Sequence, residues 1–343
     1  MFLRKFIFFI LLSPLITNAQ QTEEIRLVKV NNEKRIDISI GSTPFTSFLY
    51  PDSLEKPVLF PIYDGDNTIL TRGFPLNPRP GEPTDHPHHI GLWFTYENVN
   101  KLDFWNNSYA IPAEKKSLYG WIKTDSILKI SSGHYGELSY HANWVNQQNQ
   151  VLLEETTHYI FSGSGNKRTI DRITELKAVK DVLFADAKDG LLGLRLAHEL
   201  QIPSAADQKF TDSKGNITVV KRDTVANGNY LTSEGKQGDS AWSTRGIWCK
   251  VFGKMGNDSV SITIFDHKGN PGYPTFWHAR GYGLFAANPL GENIFSNGKY
   301  SLNLKLKKDE SVRFIYRIYI QNGKTTPDTS YLNQLSNEFD SKY

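Results

Sequence analysis

The sequence is poor in cysteine, which limits how the protein can be stabilised. Its 343 residues include a single cysteine, Cys249, so no disulfide can form within one chain. Cys249 lies in the strand-like stretch "GIWCKVFG". We therefore predict a buried and unreactive thiol rather than a nucleophile. Without disulfides, the fold has to depend on a large apolar core.

The sequence also lacks an excess of charge of either sign. Lysine and arginine total 39 and aspartate and glutamate total 36, which gives a formal charge of +3. Because no block of basic residues and no RNA-binding signature occurs, we expect no nucleic-acid partner. Beyond the N-terminus, no apolar run is long enough to form a membrane helix, so we expect no membrane span.

The N-terminus has the features of a secretion signal. Two basic residues precede an apolar run from Phe6 to Leu12, and small or polar residues follow it. This pattern predicts a signal peptide over residues 1–19, cleaved before Gln20. We therefore expect the mature protein to be soluble and periplasmic.

Strand-forming residues are abundant. Aromatic residues make up 13% of the chain, and short runs with alternating apolar and polar residues recur, as in 301–305 and 312–321. Only "TSYLNQLSNEF" is typical of a helix, with Asp328 or Thr329 as its N-cap. Many strands without alternating helices indicate a sandwich or barrel. We predict an all-β fold, a large antiparallel β-sandwich that forms a single domain over residues 22–343.

A proline-rich stretch brings a cluster of histidines to the start of a strand. In "RPGEPTDHPHHIGLWF" the prolines exclude regular structure, so a stiff loop presents Asp85, His86, His88 and His89. A metal site, an acid/base site and a polar corner bonded to the backbone are all open interpretations. We favour a functional site, because three neighbouring imidazoles have little structural necessity. A divalent metal bound by the three histidines stays open.

Two further clusters combine an arginine with other polar or aromatic residues. In "AKDGLLGLRLA", Arg195 faces away from its leucine neighbours and, if it lines a cleft, is suited to bidentate binding of a carboxylate. A surface salt bridge with Asp186 or Glu199 is an equal alternative. In "DSAWSTRGIW", Trp242 and Arg245 suit a stacking and anion-binding pair. A core tryptophan beside a surface arginine explains that pattern equally well.

The segment "PTFWHARGYG" places three different functional groups at alternate positions. In an extended conformation His278, Arg280 and Tyr282 share one face. This set suits proton abstraction next to a carboxylate: the arginine neutralises the acid, the histidine removes the proton and the tyrosine returns one. The alternative is a chance alignment in a polar strand, and we favour the functional interpretation.

Together these motifs resemble those of a bacterial family of unknown function, whose members are often labelled PmoA-like or methane oxygenase-like. The resemblance covers most of the mature chain. It implies a β-sandwich similar to the galactose-mutarotase supersandwich, in proteins linked with polysaccharide breakdown. We set oxygenase chemistry aside, because a particulate methane oxygenase subunit is an integral membrane protein and this sequence has no spanning helix after its leader. The resemblance assigns no catalytic residue.

Mutarotase-like sandwiches serve both sugar epimerases and polysaccharide lyases, which is an argument from fold analogy. A glycosidase needs two facing carboxylates, and no convincing pair is evident in the sequence. Our leading hypothesis is a periplasmic carbon–oxygen lyase that acts on uronate-containing oligosaccharides by β-elimination or dehydration. A sugar mutarotase or epimerase and a non-catalytic carbohydrate-binding protein are the alternatives.

This hypothesis assigns a role to each candidate residue. The predicted catalytic residues are His88, His89, His278 and Tyr282. The predicted substrate-binding residues are Asp85, His86, Arg195, Trp242, Arg245 and Arg280. No cofactor is firmly implied, and the expected partner is the oligosaccharide substrate.

Overall fold

A computed structural model describes residues 23–205, 207–211, 217–220 and 225–343. The predicted signal peptide lies outside these ranges. Within them, strands β1 to β20 span Ile25–Lys29, Arg35–Ile40, Thr43–Leu49, Val58–Ile62, Leu92–Tyr96, Trp121–Ser131, Gly136–Val145, Val151–Ser164, Lys167–Ala178, Val182–Phe184, Gly190–Arg195, Gln208–Thr211, Ile217–Val220, Asn229–Thr232, Trp248–Met255, Asp258–Asp266, Phe276–Arg280, Leu284–Asn288, Leu304–Leu306 and Ser311–Gly323. Helices α1 and α2 span Glu292–Phe295 and Thr329–Lys342, and short 3-10 turns span Ala113–Leu118, His198–Leu200 and Gly238–Ala241.

Two eight-stranded antiparallel sheets form a sandwich, so the predicted all-β fold class is confirmed. The first sheet has the order β1-β2-β3-β4-β5-β11-β18-β17, and the second has the order β14-β15-β16-β20-β9-β8-β7-β6. Two-stranded ribbons, β10 with β19 and β12 with β13, complete the pairing among the described residues. Hydrogen-bonded neighbours in these sheets run antiparallel, as in β1 with β2 and β17 with β18, which is expected where helices do not alternate with strands.

Alternating apolar residues direct one side of each strand into the core. In β2, Ile36, Ile38 and Ile40 are buried between the sheets while their neighbours are partly exposed. Cys249 in β15 is also buried there, and burial raises the pKa of its thiol well above the usual value. This placement agrees with the prediction of an inert thiol. The strand expected at 301–305 is shorter and lies at Leu304–Leu306.

The predicted C-terminal helix is present as α2 and covers the outer face of the second sheet. Asp328 is its N-cap and accepts a hydrogen bond from the Tyr331 backbone N–H at 2.8 Å. Its buried residues Leu332 and Phe339 pack on that sheet. Asp171 in β9 accepts a 2.8 Å hydrogen bond from the Tyr343 hydroxyl. The C-terminus is thereby fixed to the second sheet at both ends of α2.

The outer face of the first sheet, which points away from the second sheet, has an unusual central row. Trp93, Gly193, Ala286 and His278 are cross-strand partners in β5, β11, β18 and β17, so their side chains point to the same side. A Cβ atom at Gly193 would lie 2.5 Å from the Trp93 ring and 2.7 Å from the Trp105 ring. Only glycine therefore lets these two indoles lie against the sheet.

A polar cluster is buried between the sheets. Arg172 donates to Glu155 Oε1 at 2.7 Å, and the Tyr140 hydroxyl and Trp144 Nε1 donate to the same carboxylate at 2.7 and 2.8 Å. Thr157 adds a further 2.7 Å hydrogen bond to Glu155. Because both charges are enclosed, each depends on the other to offset its lost hydration.

We expect Glu155→Gln to lower the free energy of unfolding by about 3–5 kcal/mol, because it leaves the Arg172 charge buried without a counter-charge. The matched control is Glu154→Gln, one residue earlier and on the partly exposed side of β8, which should stay within about 0.5 kcal/mol of the wild type. Equilibrium unfolding in urea measures both. Similar stabilities of the two variants would contradict a structural role for this buried pair.

Candidate functional site

Arg72 holds the backbone of the histidine-rich loop by hydrogen bonds. Its buried guanidinium donates hydrogen bonds to the backbone carbonyls of Asp85 at 2.7 Å, His86 at 2.9 Å, and Pro83 and His89 at 3.2 Å. Arginine suits this task because its donors form a planar, rigid fork. The loop is therefore held in one conformation by a side chain that the sequence analysis did not single out.

Asp85 is the central carboxylate of the site. Its Oδ1 accepts a 2.9 Å hydrogen bond from Arg72 and another from Arg195, and its Oδ2 contacts Nδ1 of His86. Burial alone would raise the pKa of this carboxyl, but the hydrogen bond from His86 and the charges of Arg195 and Arg72 outweigh it. The pKa of Asp85 consequently lies well below its usual range, and the group stays ionised.

His86 is the exposed imidazole of the cluster, with 41% of its side chain accessible. Its φ of +45° lies in the left-handed region, which is costly for a histidine and more so before Pro87. Because Asp85 is ionised, Nδ1 of His86 carries the hydrogen that it donates, and in the neutral form of the ring Nε2 is the acceptor. The ring stacks between His89 at 4.8 Å and Tyr282 at 5.3 Å. A strained backbone therefore displays an oriented imidazole at the surface.

The other two loop histidines lie beneath His86. His88 is 9% and His89 1% exposed. Burial and neighbouring cations, Lys56 for His88 and Arg195 for both, lower the pKa of each well below its usual value, so both rings are neutral. His89 Nδ1 lies 3.2 Å from Arg195 and its ring packs on Trp93. These two residues, which the sequence predicted to be catalytic, therefore lie buried against the exposed His86.

Arg195 at the end of β11 is fully buried and binds a carboxylate of the protein itself. One of its terminal nitrogens donates to Asp85 and the other lies beside His89. Its guanidinium lies 4.9 Å from the Tyr282 ring centroid. The carboxylate partner is therefore neither Asp186 nor Glu199, the two that the sequence suggested. The histidine-rich loop and the Tyr282 turn both contact this arginine.

The "FWHARGY" segment lies directly beside the loop. His278 and Arg280 are on the outer face of β17, and Tyr282 is in the turn to β18, where its ring stacks on His86. The Arg280 guanidinium lies 5.5 Å from the Trp242 ring and 5.8 Å from the Tyr282 ring. Across the described parts of the chain, no carboxylate lies within salt-bridge distance of Arg280. It is thus a partly exposed cation framed by two aromatic rings.

Trp242 and Arg245 do not form the pair that their spacing suggested. Trp242 contacts Arg280 instead. Arg245 lies 4.8 Å from the Phe276 ring and donates to the carbonyls of Gly272 at 2.7 Å and Pro274 at 2.8 Å. Its guanidinium is occupied by the turn before β17, so Arg245 supports that turn while Trp242 lines the site.

Sequence reasoning also missed two ionisable residues at this face. Asp189, directly before β11, has a side chain that is 15% exposed, and burial raises the pKa of its carboxyl to about 6. Lys56 is buried against Trp93 and donates to the Trp105 carbonyl at 3.0 Å, and burial lowers the pKa of its amine to about 7. In the sequence, Asp189 could have been identified from its position directly before β11, the strand that ends at Arg195. Lys56 lies in a loop that offers no comparable signal.

The histidine rings are stacked rather than directed at one point. His86 and His89 are parallel, with an interplanar angle of 2°, and His88 meets His89 edge-on at 74°. In the part of the chain that the structure describes, no three histidine, cysteine, aspartate or glutamate side chains are arranged to hold a metal ion. The described part also contains no helix of sufficient length and apolar character to cross a membrane.

The sequence profile of one protein family extends over residues 35–335. The chain belongs to this family of unknown function, DUF6807. No curated protein sequence is significantly similar to the chain. Membership in DUF6807 therefore identifies the chain's relatives but assigns no reaction to it.

Solved structures provide distant similarities. A GH36 α-galactosidase from Geobacillus stearothermophilus is 12% identical with a TM-score of 0.41, covering 88% of this chain and 41% of that protein. The chain thus spans less than half the length of that enzyme. A galactose mutarotase-like protein from Clostridium acetobutylicum is 10% identical with a TM-score of 0.39, covering 87% and 98% of the two chains. At these scores the similarities carry no conclusion about function.

We expect diethyl pyrocarbonate to modify His86 well before His88, His89 or His278, because of these four histidines only His86 is exposed to solvent to a large extent. Fragment-ion mass spectrometry of peptides from a short reaction measures the order of modification. In the control variant His86→Gln, the other three should stay unmodified over the same time. Early modification of His89 or His278 in the wild type would contradict the layered arrangement.

Proposed function

We propose that the outer face of the first sheet is the active site of a carbohydrate-active lyase that eliminates across a uronate residue of an oligosaccharide. The observation that carries this proposal is Arg280, a cation without a carboxylate partner among the described residues, beside the exposed His86 and Tyr282. A base next to a free cation is what proton removal beside a carboxylate requires. We also propose a periplasmic location, which rests on the leader sequence and is tested by N-terminal sequencing of the exported protein.

The charges around the site favour an anionic substrate. Arg72 and Arg195 together carry two positive charges against the single carboxylate of Asp85. Arg280 and the half-exposed Lys188 add two further cations near the surface, with Asp189 as the acid closest to Lys188. The resulting positive potential attracts a uronate, has little effect on a neutral sugar and repels a cation.

The first step is removal of the proton on the carbon next to the uronate carboxylate. Arg280 binds that carboxylate and stabilises the negative charge that develops on it as the proton leaves. Nε2 of His86 accepts the proton. Asp85, which stays ionised, holds the imidazole in the required orientation and stabilises the imidazolium that forms. The strain at His86 is consistent with a residue held for this purpose.

Two aromatic residues complete the binding surface. Trp242 and Tyr282 lie beside Arg280, where their rings can contact the apolar side of a bound sugar. Burial raises the pKa of the Tyr282 phenol, so its hydroxyl stays protonated and acts as a hydrogen-bond donor. This role differs from that of a base and leaves proton removal to His86.

A sugar epimerase is the second candidate, and Asp189 is the observation that favours it. A carboxyl group with a pKa of about 6 near an imidazole is an acid/base pair suited to mutarotation. Polarimetry on free sugars tests this candidate, because mutarotation changes optical rotation without producing a conjugated double bond. A protein that only binds sugars would show neither signal.

We expect His86→Gln to lower kcat for elimination by about 10²–10⁴-fold, because it removes the base while preserving a polar side chain. Ultraviolet absorbance of the unsaturated uronate product measures the rate. The control is His134→Gln, which changes an exposed histidine in the turn between β6 and β7 of the second sheet. Unchanged turnover by the His86 variant would remove His86 from the mechanism.

We expect Arg280→Gln to lower kcat/KM for uronate oligosaccharides by about 10²-fold, because the variant no longer neutralises the substrate carboxylate. The same assay measures this loss, with the exposed Arg313→Gln on β20 as the control. Binding of neutral oligosaccharides, followed by calorimetry, should change little. An equal loss for neutral and anionic sugars would contradict a charge-recognition role.

A further inference from the structure

Asp189 and His278 form a pair that the proposed mechanism leaves unused. Asp189 Oδ1 lies 3.5 Å from Nδ1 of His278, at the outer limit of hydrogen bonding. His278 is only 2% exposed, and its Nδ1 is buried without a hydrogen-bond partner in the described structure. Buried polar atoms are rarely left unpaired, so this nitrogen needs an explanation.

The hydrogen position on His278 decides what the pair can do. Burial and the charges of Lys188 and Arg280 lower the pKa of the imidazole to about 3, so the ring is neutral and carries one N–H. A hydrogen bond with the Lys188 backbone opposes this shift. When that hydrogen lies on Nε2, Nδ1 is left with its lone pair. Nδ1 is therefore an acceptor pointing at a carboxyl group.

An acceptor beside a carboxyl group favours its protonated form. An ionised Asp189 would set a negative oxygen against a lone pair, whereas a protonated Asp189 can donate its O–H to Nδ1. Burial acts in the same direction and raises the pKa of Asp189 to about 6. The side chain is nevertheless 15% exposed, so its proton can reach a ligand. The backbone N–H of Asp189 is fixed by Glu97 at 3.0 Å.

We propose that Asp189 is the proton donor of this site and that His278 is the positioning residue that holds the proton on it. This inference rests on the proposed lyase function and extends it to the second half of the reaction. It reassigns His278, predicted as catalytic, to a residue that acts through Asp189. It also narrows the substrate class to uronates whose leaving group is a sugar alkoxide, because such a leaving group requires a proton donor.

The elimination then balances in atoms and charge. His86 takes the proton from the carbon next to the carboxylate, and the electron pair of that C–H bond forms the new carbon–carbon double bond. The bond between the β-carbon and the leaving oxygen breaks, and that oxygen receives the proton of Asp189. Imidazolium and carboxylate remain, and proton exchange with water restores both groups. No oxidant, reductant or further reactant is needed.

Several charged groups surround Asp189 and set its ionisation. Glu97 and Asp103 favour its protonated form, whereas Lys188 and His86 favour the ionised form. His278 faces it from β17, and the Tyr282 phenol responds to its charge. Because these charges act on Asp189 in opposite directions, a small change can alter its ionisation. Replacing His278 removes the acceptor and admits water, which should favour the ionised form of Asp189.

The ionisation of Asp189 can be measured without any substrate. Infrared difference spectra over a pH titration should show a protonated carboxyl band that disappears with a midpoint near pH 6 and is absent in Asp189→Asn. Asp266→Asn is the matched control, because Asp266 is buried and has a pKa of about 7 that would contribute a second band. In His278→Ala the Asp189 midpoint should fall towards the ordinary value of about 4. A wild-type spectrum without an Asp189 band near pH 6 would overturn the inference.

The leaving group of the substrate tests the donor role itself. Asp189→Asn should slow elimination of a sugar alcohol by about 10²–10⁴-fold, and should change little when the leaving group is a nitrophenol that needs no proton. The exposed Asp181→Asn is the control for both substrates. His278→Ala should move the alkaline loss of activity with the sugar substrate to lower pH. Equal loss on both leaving groups would show that Asp189 is not the donor.

The two proposals fail in different ways. If the wild type eliminates neither substrate, the lyase function and the donor role fall together, even where the infrared band is present. If the wild type eliminates both but the Asp189 variant keeps its full rate with the sugar substrate, only the donor role falls.

Discussion

The buried contact between Asp85 and the guanidinium groups of Arg72 and Arg195 is the interaction on which the site depends. Two cations are enclosed around one carboxylate, and each hydrogen bond offsets part of the hydration that burial removes. Arg72 extends from this contact to the loop backbone, and Arg195 extends it to β11. The loop and the sheet are thereby joined by charge, which fixes the geometry that an apolar contact alone would leave adjustable.

The same charges determine the protonation states around them. The positive potential of the arginines and of Lys56 helps keep the buried imidazoles of His88 and His89 neutral. Farther from Asp85, burial and two other carboxylates outweigh the nearby cations at Asp189. One side of the site therefore holds an ionised carboxylate, and the other side holds a carboxyl group that is protonated only below about pH 6. Opposite assignments of this kind let one site both accept and donate a proton.

The sequence predicted the fold better than it predicted the site. Alternation along β2 and β20 and the N-cap at Asp328 report local preferences, which determined strands, the sandwich and α2 correctly. The contact between the histidine-rich loop and Tyr282 depends on the order of strands in the first sheet. The loop leads into β5 and Tyr282 follows β17, and β11 and β18 lie between these two strands. This order cannot be read from the sequence of either segment. The layering of His86 over His89 follows from a left-handed φ, which no side-chain pattern encodes. Asp189 acquires its role only through burial.

The bare backbone at Gly193 has a consequence for how this protein can change. Since the indoles of Trp93 and Trp105 rest on that residue, the strands beneath contribute no side chain of their own at that position. Both indoles are themselves fully buried, so a ligand meets the loops that cover them and not the sheet. Loops can acquire new residues without altering the strand register. The loops can therefore determine which ligand binds, while the strands determine the fold.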